Sequence, residues 1–78
     1  MTRLTLAPVG EVSRIRAIWL KEEIKSYLED FGLVIGSEIY VISKIYDDAL
    51  IVCIQNRRIA IGAELACKII VSHDGKLL

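Results

Sequence analysis

The sequence predicts a mainly β (α+β) fold: a small, partly open β-barrel of about five short strands, with one α-helix between the first two. Three observations carry this. One stretch, Leu20 to Phe31, has apolar residues at helical spacing. Several short apolar or alternating runs have strand periodicity. Glycines stand at the joints between them and not inside them.

The helix and its exit are the clearest part. Leu20, Ile24, Leu28 and Phe31 recur at steps of three and four, so they share one helical face, with Tyr27 beside them. The helix is placed from about Lys21 to Phe31. No Ser, Thr, Asp or Asn offers an N-cap, but Glu22 and Glu23 occupy the first turn, where the helix dipole favours negative charge. Gly32 suits the left-handed residue that ends a helix, with Leu33 folding back on Leu28. Gly36 suits the third position of a tight turn. The chain then passes directly into a strand.

Before the helix, Thr2 to Ala7 is a lead-in and Pro8-Val9-Gly10 a turn. Glu11 to Ile18 alternates, with Val12, Arg14 and Arg16 on one face and Ser13, Ile15 and Ala17 on the other, as in a strand with one face in water. After the helix, Glu38 to Ile45 is the second strand, with Ile39, Val41 and Ile45 on one face. Tyr46-Asp47-Asp48 reverses the chain, and Ala49 to Gln55 returns as a third strand. Leu50, Val52 and Ile54 face one way and Ile51 and Cys53 the other, so it needs cover on both sides. The barrel interior supplies one cover and the helix the other. Asn56-Arg57 fits a two-residue hairpin turn, Arg58 to Ile61 a fourth strand, Gly62 to Cys67 a helical turn, and Lys68 to Ser72 a closing strand. Residues 1–72 form the single domain and 73–78 a flexible tail. The hairpins are short and consecutive, which favours an SH3-like over an OB-like barrel.

Composition narrows the function classes. A 78-residue chain that is 54% hydrophobic can fold without a disulfide or metal staple. Ten basic and ten acidic residues cancel, which argues against long-range steering to nucleic acid or an anionic membrane. The longest apolar run, Ala49 to Ile54, is far too short to span a bilayer, and the N-terminus has no secretory h-region. Cys53 and Cys67 form no disulfide framework, and a reduced, cytoplasmic setting is expected. No catalytic residue, cofactor or metal site is expected. The single histidine, His73, lies in the expected tail, and there is no Cys-x-x-Cys spacing or phosphate-cradling glycine loop.

Nucleic-acid binding is the alternative that needs weighing. Arg14, Arg16, Lys44, Arg57 and Arg58 fit a basic stripe, and Trp19, Tyr40 and Tyr46 are able to stack bases. The balanced charge speaks against it, and no nucleic-acid partner is expected.

The pattern of Pro8-Val9-Gly10, Leu28-Glu29-Asp30-Phe31-Gly32-Leu33, Gly36-Ser37-Glu38-Ile39-Tyr40-Val41, Ile59-Ala60-Ile61-Gly62-Ala63-Glu64-Leu65-Ala66 and Ile69-Ile70-Val71 resembles the ferrous-iron transport protein A (FeoA) family. The resemblance runs from about Leu4 to Val71. Its most specific part is the structural motif Leu28, Phe31, Gly32, Leu33 and Gly36. Departures are Tyr27 where the family usually has arginine, Ile35 where it has proline, Asn56 where it has glycine, and Ile61-Gly62 where leucine-arginine is frequent. The resemblance implies a small cytoplasmic accessory protein of ferrous-iron uptake. It would bind a FeoB-type membrane GTPase transporter and so reach the inner face of the membrane through its partner. The same SH3-like module is similar to the C-terminal domain of iron-dependent repressors, so a regulator-type interaction domain is a second context. The expected contact residues are Trp19, Lys21, Tyr27, Tyr46, Arg57 and Arg58, although Trp19 and Tyr27 also fit core or rim packing. Exposed strand edges leave a homodimer open.

Overall fold

The computed structural model describes residues 1–45 and 49–77, the last four (74–77) as backbone only. The expected reversal at Tyr46-Asp47-Asp48, and the candidate Tyr46 with it, lie outside the described residues.

The strands are β1 (Thr2–Arg3), β2 (Glu11–Ile18), β3 (Glu38–Ile45), β4 (Ala49–Ile54), β5 (Arg57–Gly62) and β6 (Ile69–Leu77), with helices α1 (Glu22–Glu29) and α2 (Ala63–Ala66). A 3-10 turn, Leu4–Leu6, follows β1. All strand pairs are antiparallel, in the order β1-β6-β2-β3-β4-β5. The edge strands β1 and β5 do not pair with each other. Instead α2, continuing from β5, packs against the 3-10 turn after β1. The result is an SH3-like, partly open barrel.

The interior is filled by Leu4, Ile15, Leu33, Ile39, Val41, Val52, Ile54, Ile69 and Val71, all essentially excluded from water. They come from every strand but β1 and β5, together with the 3-10 turn and the segment after α1. Leu50 and Ile61 close the end near α2, where Ala66 is also buried.

The handover from α1 to β3 is built as its glycines predict. The Gly32 N–H donates to the Glu29 carbonyl (2.9 Å) and the Leu33 N–H to the Leu28 carbonyl (3.1 Å), with Gly32 at φ +89°. This is the Schellman pattern, and it places Leu33 with Leu28 in the core. The Ser37 N–H then donates to the Val34 carbonyl (3.1 Å), closing a turn with Gly36 third at φ +97°. That turn is docked on β2: the Gly36 N–H reaches the Ile15 carbonyl (2.8 Å) and the Ile15 N–H the Ser37 carbonyl (2.9 Å).

Other expectations need correction. The helix is shorter than expected and buries little: Leu28 is its only buried residue, while Leu20 and Phe31 are partly covered and Ile24 is 40% exposed. It does not supply the second cover for β4, whose Ile51 and Cys53 remain half-buried. Ile45 leaves the core face because β3 has a bulge between Val41 and Ser43; Ile45 then pairs with Ala49 while Lys44 pairs with Leu50. A bulge between Ile15 and Ala17 likewise changes phase in β2 and brings Ile18 inward with Ile15.

The β4–β5 turn is Gln55-Asn56 and not Asn56-Arg57. Both residues have positive φ (49° and 63°), as a two-residue hairpin of the right twist demands, and Ile54 pairs with Arg57. The expected tail is also revised. Thr2 and Arg3 pair with Val71 and Ile70, and β6 runs on to Leu77 along β2, with Ser13 opposite His73 and Glu11 opposite Leu77. The His73 Nε2 meets the Glu11 Oε1 at 2.6 Å across this extension.

Two stability predictions follow from the handover. A Cβ on Gly32 would come within 2.7 Å of the Gln55 side chain as well as requiring positive φ, whereas one on Gly36 meets nothing within 4 Å. Gly36→Ala is expected to cost about 1 kcal/mol of conformational strain and Gly32→Ala about 2. Chemical denaturation measures both, and Gln55→Ala in the Gly32→Ala background should recover only the steric excess. Because Leu28 alone anchors α1, Leu28→Ala should cost about 3 kcal/mol and Ile24→Ala less than about 1. Equal losses at the two positions would mean that α1 is held differently.

Candidate functional site

Trp19 and Leu20 join β2 to α1. The Trp19 N–H donates to the Lys68 carbonyl (2.8 Å), which fastens this joint to the segment between α2 and β6. Two shallow clefts meet there. One, of about 580 Å³, is lined by Trp19, Leu20, Lys21, Ile24 and Lys68. The other, of about 470 Å³, is lined by Leu20, Glu64, Leu65, Cys67 and Lys68. Leu20 and Leu65 pack partly into the core and form an apolar floor. Trp19, 65% exposed, and Ile24 are the apolar walls, and Lys21, Lys68 and Glu64 are the charged rim.

Of the residues expected from sequence, Trp19 and Lys21 are brought together in this groove. Tyr27 is 63% exposed and stands one helical turn beyond Ile24 on α1, its ring edge-to-face with Phe31 (5.3 Å between centroids, 65° between planes). The aromatic exposure continues from the groove along the helix. Arg57 and Arg58 are exposed at the start of β5 and line neither cleft. Leu20, Ile24, Leu65 and Lys68 were not expected as lining residues. The helical period marks Leu20 and Ile24 as core, and only the loose seating of α1 exposes them.

The expected basic stripe is partly consumed by the fold. Arg14 donates to the Gly36 carbonyl (2.8 Å) and to Glu38 Oε2 (3.2 Å), and Arg16 donates to the Ser72 hydroxyl (2.7 Å). Arg14 therefore fixes the same Gly36 turn that the backbone holds.

Reactive groups are scattered. The Cys67 thiol donates to the Glu64 carbonyl (3.1 Å), and His73 is held by Glu11 on another part of the surface. Cys53 lies between Tyr40 and Arg58 on neighbouring strands, at a cavity of about 220 Å³ lined also by Val12, Glu38, Gln55 and Asn56. A hydrogen bond with Cys53 raises the Tyr40 phenol above its ordinary value; loss of hydration and the Cys53 charge add to this, and Arg58 opposes it. Among the described residues no three His, Cys, Asp or Glu side chains converge on a point that would hold a metal, and no helix is long and apolar enough to cross a membrane. The groove is equipped for recognition: an apolar floor and aromatic wall for a partner's side chain, with ammonium groups for an adjacent carboxylate.

Comparison with known proteins bears on the fold and the family. A FeoA domain family model matches residues 2–73. The crystal structure of an iron uptake regulatory protein (FeoA) superposes with a TM-score of 0.83 at 24% identity, over 92% of this chain and 96% of that one. Iron(II) transport protein A from Clostridium thermocellum gives a TM-score of 0.88 at 27% identity, over 95% of this chain and 46% of that one, so this chain spans about half its length. The FeoA protein from Chlorobium tepidum gives 0.86 at 19% identity, over 95% and 71% of the two chains, a likeness of fold alone. No curated protein matches the chain by sequence. With nearly its whole length matched by the family model, the chain belongs to the FeoA family, which is associated with ferrous-iron transport.

Proposed function

We infer that this protein is an accessory factor of ferrous-iron uptake that works at the cytoplasmic face of the membrane by docking on a FeoB-type GTPase transporter. The observation that carries the reading is the groove at Trp19. A large aromatic side chain stands exposed there, fixed at its backbone to Lys68, beside an apolar floor and two lysines. Exposed tryptophans and tyrosines on a rigid frame are the side chains that dominate protein–protein binding energy. The contact surface is therefore assigned to Trp19, Lys21, Ile24 and Tyr27, and Arg57 and Arg58 are left outside it.

Docking alone does not change transport. For the protein to alter the transporter's nucleotide cycle or assembly, it must bind one transporter state more tightly than another, and a tenfold preference corresponds to about 1.4 kcal/mol. A groove that accepts one apolar side chain between two ammonium groups supplies such a preference if a transporter segment presents that side chain in only one state.

The test is a double substitution, Trp19→Ala with Tyr27→Ala, assayed by retention of the transporter from detergent-solubilised membranes and by uptake of Fe(II) in cells. Both side chains are largely exposed, so stability should change by less than about 1 kcal/mol. Binding should weaken by more than about 30-fold if the pair contributes as interface aromatics do, and uptake should fall with it. Full retention and uptake by a folded double variant would contradict the proposal.

A further inference from the structure

The outer edge of β5 is a second, independent feature of the surface. β5 pairs with β4 alone, in six consecutive residue pairs from Ile54–Arg57 to Ala49–Gly62 without a bulge, and it contains no proline. Natural sheet edges are usually blunted by one of those devices. Here only Arg57 and Arg58 at one end serve that purpose. Ladder hydrogen bonding alternates along an antiparallel pair, and the pair closing a two-residue hairpin is a bonded one. Counting from Ile54–Arg57, the outward N–H and C=O groups belong to Arg58, Ala60 and Gly62, which are all exposed. Two of the three have little or no side chain to keep another strand away.

We propose that this edge pairs with the same edge of a second copy, forming a two-fold symmetric dimer with a continuous sheet across β5. In the antiparallel register that matches all outward groups, Ala60 meets Ala60 of the second copy and Arg58 meets its Gly62. The charges fit this register. Glu64, exposed in α2 two residues past Gly62, stands just beyond the strand end that faces Arg58 of the second copy, so this register brings opposite charges to the same end of the shared ladder. The two-fold axis makes this pair twice. The two Arg58 side chains are four residues apart along the ladder, about 13 Å, which exceeds the screening length of about 8 Å at physiological salt. Among the described residues neither Arg58 nor Glu64 has an ion-pair partner within the chain. The edge is self-complementary in hydrogen bonds and in charge, and a single shared strand pair makes a weak, concentration-dependent dimer.

Sedimentation equilibrium of the full chain, up to about 1 mM, tests this. The wild type should shift from the 8.7 kDa monomer toward twice that mass. Ala60→Pro removes an outward N–H that the β4 ladder does not use, so it should stay monomeric with an unchanged circular dichroism spectrum. Arg58→Glu should weaken association at least tenfold, and adding Glu64→Arg should restore it. The charge-swap pair decides the matter should Ala60→Pro fail to fold. A wild type that remains monomeric throughout, or a dimer indifferent to these changes, overturns the proposal. Glu64 also lies on the rim of the groove, but the readout is the mass of the purified chain with no transporter present, so the outcome is separable from that of transporter docking.

Discussion

Two backbone hydrogen bonds, from Gly36 to Ile15 and from Ile15 to Ser37, clamp the turn after α1 onto the middle of β2. They are possible because Gly36 takes a φ of +97° and Gly32, four residues earlier, one of +89°. With both glycines in place the chain stops its helix, seats Leu33 in the core, and enters β3 in register with β2, Ser13 opposite Ile39 and Arg14 opposite Glu38. Arg14 adds a side-chain hydrogen bond to the same turn. The barrel needs this clamp because α1 interrupts the connection between two adjacent strands and contributes only Leu28 to the buried core. The helix is held mainly at its exit.

That loose seating shapes the proposed contact surface. A helix pressed fully onto the sheet would bury Ile24 and turn Tyr27 toward the rim. As it stands, Ile24, Tyr27 and the Trp19 joint form an apolar strip bordered by lysines. Among the described residues the Cys67 thiol is held on the Glu64 carbonyl and His73 on Glu11. The role proposed for this surface is recognition, in a chain whose family is associated with ferrous-iron transport.

What the sequence revealed and what it hid divide along the range of the interactions involved. Gly32 and Gly36 are legible because a positive φ is a local demand that few residues satisfy. The bounds of β2 and β3 are legible for the same reason: punctuation lies next to them in the chain. The turn at Gln55-Asn56 was displaced by one residue because nothing local makes Gln55 a left-handed residue. Its place is set by Leu50, Val52 and Ile54 facing inward opposite Ile61, Ile59 and Arg57. The bulges in β2 and β3 changed the phase of Ile18 and Ile45, and residues 73–77 gained structure from β2, more than fifty positions away. At the site, Trp19 and Lys21 could be nominated by type, but the groove that unites them depends on Lys68, a contact across the fold.

The Gly32–Gly36 handover, with Leu28 in the turn just before it, holds α1 to the barrel, and the exposed part of the helix does not. Native-state amide hydrogen exchange tests it most directly, residue by residue. The amides of Ile15, Leu33 and Gly36 should exchange only with near-global opening, as slowly as those of β4, while amides in the exposed part of α1 should exchange through local fraying several orders of magnitude faster. Fast exchange at Leu33 and Gly36, with slow exchange along α1, would contradict it.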